Sequence, residues 1–226
     1  MELSKLVFLS VKNVIYLNDP AFNYVDFIKG DFNNNLDYAT NINNVFSPLN
    51  EAISRLSDLE RIPYIVEEVE VSNDCTVDLR QCEKKIRQVV GLAQVGDDGS
   101  YRKLAFRQFG KDKIRIVSNF STFKNRFYIE YKENIPTFSN LNLMEVTYDE
   151  NSDLVDNNID LFEEYGIDEA MSNYIIEYVQ GRLLEPLAPE LANMHITRAE
   201  AYFNNLDIAK KSFPQQSVEK KYRVGG

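Results

Sequence analysis

The spacing of apolar residues changes twice along this 226-residue chain, and these changes restrict the folds it can adopt. Over residues 42–56 apolar side chains recur three and four apart, which places them on one face of a helix. Between Tyr64 and Phe138 the spacing falls to two, the period of a β-strand. Helical spacing returns after residue 166. The order predicts an α+β fold, in which an antiparallel β-sheet region is inserted between N- and C-terminal helices.

The predicted helices include two segments with open alternatives. Residues 2–17 have near-helical spacing, but their many β-branched residues leave a strand possible. In the next helix Pro48 removes one backbone hydrogen bond, so we expect either a kink or two consecutive helices. Because neither terminal set can bury its apolar face alone, we expect the two sets to pack as a small bundle.

Alternating residues predict strands over 65–71, 85–95, 101–106, 113–118 and 126–132. Residues 96–99, Gly-Asp-Asp-Gly, predict a hairpin turn because Gly and Asp accept positive φ. In the last strand we expect Phe127, Ile129 and Tyr131 to be buried and the alternate residues to face a wetter side.

The C-terminal third contains two predicted helices. The first has a face formed by Met171, Tyr174, Ile175 and Tyr178, and residues 181–189, with two prolines, predict a corner. The apolar stripe of the final helix is expected to comprise Leu191, Met194, His195, Ala199, Tyr202 and Leu206.

We therefore expect a single α+β domain over residues 1–206, followed by an extended arm over 207–226. Within the domain, 1–62 and 166–206 are helical, 63–140 is the β region and 141–165 is an acidic loop. The arm is polar and basic and has little with which to build a core, so we expect a neighbouring chain to hold it. Its expected contacts with other subunits or a portal are Lys210, Lys211, Phe213, Lys220, Lys221, Tyr222 and Arg223.

The charge distribution argues against a general nucleic-acid binder. The formal net charge is −10, whereas such proteins neutralise phosphates with cations. From Glu133 to Glu177 there are twelve carboxylates and no Lys or Arg. This stretch is either a solvated acidic loop or a surface that meets a basic partner or repels passing DNA.

No sequence pattern predicts catalysis, a cofactor or a metal site. The single histidine, His195, lies on a helical apolar stripe, which favours a hydrogen-bonded core or interface residue. Asp149, Asn151 and Asp153 resemble the start of a calcium loop, but the sixth position lacks the required glycine. Two cysteines are too few for zinc, and we expect two reduced thiols in a cytoplasmic setting.

The order of elements resembles the head-to-tail connector (adaptor, or neck-ring) proteins of tailed bacteriophages and the tail tubular protein A, or gatekeeper, proteins of short-tailed phages. Three passages carry the resemblance: residues 50–56 on an early helix, the strand 127–131 with Pro136 after it, and the helix that opens at 167–170. Together they span most of the chain. The larger β region and the long acidic loop depart from small adaptors.

The resemblance implies a structural virion protein without catalytic residues, cofactor or membrane association. It would form a ring of about twelve copies beneath the portal protein, in contact with the next ring or a tail protein. Double-stranded DNA would pass through the ring without sequence-specific binding. The protein would occupy the neck of the virion, and the host cytoplasm during assembly.

The main alternative is a cytoplasmic, oligomeric ligand-binding or regulatory domain. Such a domain requires an apolar concavity with a few converging polar groups. Assembly surfaces are instead flat or stepped. The apolar residues near the N-terminus are interrupted by Lys5 and Lys12, so we expect no signal peptide, and no apolar run is long enough to suggest a membrane span.

Overall fold

The computed structural model describes residues 1–30, 34–59, 62–121, 125–143, 146–148, 154–156 and 159–208. These residues form an α+β structure, as the sequence predicts. They divide into two compact units. The helical unit comprises the described residues of Met1–Ile62 and Ile135–Ser212, and the β unit comprises the described residues of Pro63–Asn134.

The helical unit brings together helices from both ends of the chain. Its helices are α1 (Leu3–Lys12), α2 (Tyr24–Ile28), α3 (Leu36–Leu56), α4 (Leu161–Tyr165), α5 (Glu169–Leu184) and α6 (Pro189–Ile208). Helix α5 packs against α1, α3 and α6, which confirms that the two terminal sets share one core. This unit also contains two short strands, which pair antiparallel: β8 (Val146–Tyr148) and β9 (Leu154–Asp156). All strands are numbered in chain order, and β1 to β7 belong to the β unit.

Helix α3 runs through Pro48 as one element, so the expectation of two consecutive helices is wrong. The seven apolar residues on its predicted face are all buried, and this burial offsets the backbone hydrogen bond that proline cannot donate. Helix α1 ends at Lys12, which excludes a strand there and shortens the predicted helix. Asparagine or aspartate side chains cap several helices; for example, Asp168 accepts a hydrogen bond from the backbone N–H of Met171 at the start of α5.

The β unit contains two antiparallel sheets. The first has the order β1 (Ile65–Val69), β7 (Asn125–Glu133), β3 (Ile86–Gly96), β4 (Tyr101–Lys103). The second has the order β2 (Thr76–Asp78), β6 (Lys113–Ile116), β5 (Phe106–Gln108). The predicted strand 101–106 is thus divided between two sheets, and β2 was not predicted because three residues are too few to show a period.

The turn at residues 96–99 confirms the predicted hairpin between β3 and β4. The N–H of Gly99 donates to the carbonyl oxygen of Gly96 at 2.9 Å, and Gly99 has φ +78°. Glycine adopts this conformation without the strain that a Cβ atom causes.

Strand β7 confirms its predicted core face but corrects the opposite one. Phe127, Ile129 and Tyr131 are buried as expected, yet Glu130 and Lys132 on the supposedly wet side are buried too. Gly91 of β3 lies opposite Glu130, and a Cβ atom there would be 3.0 Å from Glu130 Oε2. The missing side chain leaves room for the carboxylate within the sheet.

The connection between α5 and α6 is shorter than the predicted corner at 181–189. Helix α5 continues through Gly181 to Leu184, and α6 begins at Pro189. Proline is favoured at the first position of a helix, where its missing N–H has no intrahelical partner.

Candidate assembly surface

Helix α6 has two apolar faces, of which the structure buries only one. Ala192, Ala199 and Leu206 are buried, and Ile196 and Phe203 pack partly against the same core. Leu191, Met194 and Tyr202 are 51%, 40% and 41% exposed, and Leu187, just before the helix, is 66% exposed. The predicted stripe therefore mixed the two faces, and its members Leu191, Met194 and Tyr202 are not core residues. We call Leu187, Leu191, Met194 and Tyr202 the outer stripe.

A close approach between α5 and α6 fixes which face is buried. A Cβ atom at Gly181 would be 2.6 Å from Ile196 Cδ1 and 3.2 Å from the backbone oxygen of Ala192. The absence of a side chain at position 181 lets the two helices come together along Ala192 and Ile196. The outer stripe is consequently directed away from α5.

Arg55 of α3 holds α6 from a second direction. Its guanidinium donates to both carboxylate oxygens of Glu200, with N···O distances of 2.8 and 3.1 Å. The same guanidinium lies 4.8 to 5.7 Å from the ring centroids of Phe203, Tyr178 and Tyr174. Hydrogen bonding to Glu200 raises the pKa of Arg55 above its ordinary value.

Two buried tyrosines surround this cation. Burial, together with a hydrogen bond to Glu51, raises the pKa of Tyr178 to about 12. Burial also raises the pKa of Tyr174, whose hydroxyl has no hydrogen-bond partner within the described part of the chain. Both phenols therefore stay neutral, and their rings can accept the guanidinium on their faces.

His195 is hydrogen-bonded, as the sequence analysis expects. Its Nδ1 atom lies 2.7 Å from Glu177 Oε2 of α5, and both side chains are largely buried. The contact is a further link between α5 and α6, so the single imidazole of the chain lies in a structural pairing.

A second exposed apolar group, the N-terminal patch, consists of Leu17, Val25 and Leu36. These residues are within two positions in sequence of members of a cluster of six aromatic side chains, in which ring centroids are 4.6 to 6.3 Å apart. The members of the cluster are Phe8, Tyr16, Phe22, Tyr24, Phe27 and Tyr38. At one end of the cluster, the Tyr38 hydroxyl donates a 2.6 Å hydrogen bond to Asp19.

A cavity of about 300 Å³ lies between α3 and the end of α5. Five of its eight lining residues are polar: Asn44, Ser47, Glu51, Arg182 and Glu185. Arg182 and Glu185 already pair with each other at 2.6 Å. This cavity differs from the mainly apolar concavity that the ligand-binding alternative requires.

The remaining sequence-predicted sites are placed as follows. Two predicted sets of residues lie outside the described part of the chain. They are the expected contact residues of the arm (Lys210, Lys211, Phe213, Lys220, Lys221, Tyr222 and Arg223) and the residues that resemble a calcium loop (Asp149, Asn151 and Asp153). Cys75 and Cys82 are free thiols, and burial raises the pKa of Cys82 to about 11. The described residues contain no group of three or more His, Cys, Asp or Glu arranged around a possible metal ion. Among the described helices, none combines the length and apolarity that crossing a bilayer requires.

Sequence reasoning missed Arg55 and Gly181, the two residues that orient α6. Arg55 is the single basic residue of α3, a signal that could have indicated an ion pair with another element. Gly181 lies inside a helical pattern, where glycine is unfavourable unless packing needs it.

No known family model matches this chain, and no curated protein matches it either.

Proposed function

We propose that this protein is a structural head-to-tail connector of a tailed-bacteriophage virion, which forms a ring around the DNA channel below the portal protein. The observation that carries the proposal is the outer stripe, in which Leu191, Met194 and Tyr202 of α6 and Leu187 just before it are exposed, while the other face of the helix packs against the core. Several large apolar side chains exposed along one helix favour a surface that another protein covers.

The N-terminal patch supports a ring in particular. A closed ring is built from heterologous contacts, in which one surface of each copy meets a different surface of the next. The outer stripe lies on α6, whereas the N-terminal patch lies on the segment from α1 to the start of α3. Two separate apolar surfaces on the helical unit are what a head-to-tail contact needs.

The charge of the helical unit agrees with a DNA conduit. Residues 1–62 and 135–206 contain 22 Asp and Glu against 7 Lys and Arg. A lining with this excess of carboxylates repels phosphate, so DNA passes without being held. In this proposal the basic arm over 207–226 binds acidic surface on a neighbouring subunit or on the portal.

The decisive experiment locates the protein in the virion. We expect mass spectrometry of purified particles to detect it, and cryo-electron microscopy of the neck to show its α5–α6 hairpin repeated around the channel. Reconstitution with purified portal protein is the matched test in solution, because a connector that stays monomeric alone would still assemble on the portal. Absence of the protein from purified particles would end the proposal.

A further inference from the structure

The β5–β6 hairpin concentrates positive charge in a chain that is acidic overall. Residues 106–116 contain Arg107, Lys111, Lys113 and Arg115 against one carboxylate, Asp112. The hairpin closes where the N–H of Phe109 donates to the carbonyl oxygen of Lys113 at 2.8 Å, with Gly110 at φ +84° in the turn. This well-defined turn fixes where its side chains are presented.

Two arginines of this hairpin face each other across the strands. Arg107 of β5 pairs in register with Arg115 of β6, an arrangement of like charges that destabilises an antiparallel pair. Arg107 is exposed and has no ion pair among the described residues. The Asp74 carboxylate interacts electrostatically with Arg115. Arg107 is therefore the member of the pair for which a partner protein can supply a negative charge.

An aromatic ring lies beside the arginine pair. The guanidinium of Arg115 lies 3.7 Å from the ring centroid of Phe109, and its Nε atom is buried without a hydrogen-bond partner in the part of the chain described. Phe109 itself remains 39% exposed. The hairpin thus presents a compact surface of one ring and two planar cations, which suits carboxylate groups next to an apolar side chain.

Helix α4 of the helical unit has the complementary chemistry. Phe162 is 58% exposed and is followed by the exposed Glu163. The Asp160 carboxylate caps the helix by accepting from the N–H groups of both residues, at 2.8 and 3.2 Å. These hydrogen bonds hold a large apolar ring and a carboxylate side by side at the surface.

We infer that the β5–β6 hairpin of one copy docks on α4 of a second copy, with Phe109 against Phe162 and with Arg107 and Arg115 facing Glu163. The contact joins two different surfaces and is therefore heterologous, as a ring requires. That this contact lies in a ring rests on the proposed function. The contact between two copies does not, and it can be tested with the purified protein.

Duplex DNA fits the hairpin less well than a carboxylate-bearing protein surface does. Phosphate binding depends on several cations spaced along the backbone. Here the cations cluster at one position, with Asp78 directly opposite Lys113 on β2 and Asp112 in the turn. The two carboxylates prevent these cations from forming a continuous basic surface along a DNA backbone.

The test places a photo-reactive phenylalanine analogue at position 162 of the full-length chain. An equal mixture of ¹⁵N-labelled and unlabelled protein is irradiated at the highest soluble concentration and analysed by mass spectrometry. We expect isotopically mixed cross-links between position 162 and peptides of residues 106–116. Cross-links that join only residues of the same copy, that reach other segments, or that do not form would overturn the inference.

Charge exchange tests the electrostatic part. Arg107→Glu and Glu163→Arg should each lower the yield of the cross-link about tenfold, and the double variant should restore it. The matched controls are Arg102→Glu and Glu70→Arg, which change exposed charges of the β unit elsewhere and should leave the yield unchanged. Loss of duplex-DNA retention by Arg107→Glu, with the cross-link unaffected, would assign the hairpin to DNA and overturn the inference. If the cross-link forms but the protein is absent from purified virions, the connector proposal is refuted and the contact between copies stands.

Discussion

Arg55 of α3 and Glu200 of α6 form a bidentate ion pair that joins residues 145 positions apart in the chain. The pair is partly exposed, so its charge attraction alone contributes only about 0–1 kcal/mol. Its importance comes from the three aromatic rings around the guanidinium, which make Arg55 the point where α3, α5 and α6 meet. The orientation of α6, and with it the exposure of the outer stripe, depends on this contact.

Replacing Arg55 should cost more than replacing Glu200. We expect Arg55→Ala to lower the free energy of unfolding by about 2 kcal/mol, because both the cation–π contacts and the ion pair are lost. Glu200→Gln removes only the charge attraction and should cost about 1 kcal/mol or less. Urea unfolding followed by circular dichroism measures both values. Equal costs for the two variants would mean that the aromatic rings contribute nothing.

Gly181→Ala should destabilise the helical unit although alanine favours helices. The gain in helix propensity is about 1 kcal/mol, but the new methyl group would lie 2.6 Å from Ile196 Cδ1. Overpacking of this kind costs about 1–3 kcal/mol, so we expect a net loss of about 1 kcal/mol. Adding Ile196→Val removes the Cδ1 atom and should recover part of the loss. A Gly181→Ala protein that is more stable than the parent would show that α6 moves away freely.

The stability of the chain should depend on pH partly through Asp160. Its hydrogen bonds from the N–H groups of Phe162 and Glu163 hold the pKa of its carboxyl below the ordinary value. A lowered pKa in the folded state stabilises the protein above the unfolded pKa of about 3.9, and that contribution is lost as the pH falls toward the folded pKa.

The control variant is Asp160→Asn, which retains a capping side chain without the titrating group. The difference in unfolding free energy between the parent and this variant should be present at neutral pH and shrink below pH about 4. Urea titrations across this range measure it. A difference that stays constant down to the lowest accessible pH would contradict the assignment.

Charges in the outer stripe should disrupt assembly and leave the fold intact. Leu191→Glu and Met194→Glu place a carboxylate on side chains that are already half exposed, so the unfolding midpoint should change little. Binding to purified portal protein, or ring formation, should be abolished. Asn193→Glu on the same helix adds the same charge at an exposed polar position and should bind normally. Normal assembly of the Leu191 and Met194 variants would exclude the stripe as a contact.

Removal of the arm should separate folding from docking. Residues 207 and 208 of the predicted arm lie in α6, so the chain is ended at Ile208. It keeps the buried Leu206, and we expect a folded monomer with an unchanged circular dichroism spectrum. The same chain should fail to dock on the portal, because Lys210, Lys211, Phe213, Lys220, Lys221, Tyr222 and Arg223 are missing. Unfolding of the shortened chain would mean that the arm belongs to its own core.

Local sequence determined the elements whose information lies within a few residues. The buried face of α3 from Ile42 to Leu56 and the buried face of β7 at Phe127, Ile129 and Tyr131 follow from the spacing of their apolar residues. The turn at residues 96–99 follows from the conformational freedom of glycine. Such features depend on the local backbone geometry of a helix, strand or turn, which is the same whatever the segment packs against.

Tertiary structure alone decided which of two apolar faces α6 would bury. Leu191 and Ala192 are adjacent in sequence, yet one is half exposed and the other buried, because Gly181 lets α5 approach closely at Ala192 and Ile196. The burial of Glu130 likewise depends on Gly91 in a neighbouring strand. Gly91 and Glu130 are 39 positions apart along the chain and lie opposite each other in the sheet. The periodicity of a helix or strand contains no information about partners at such a distance.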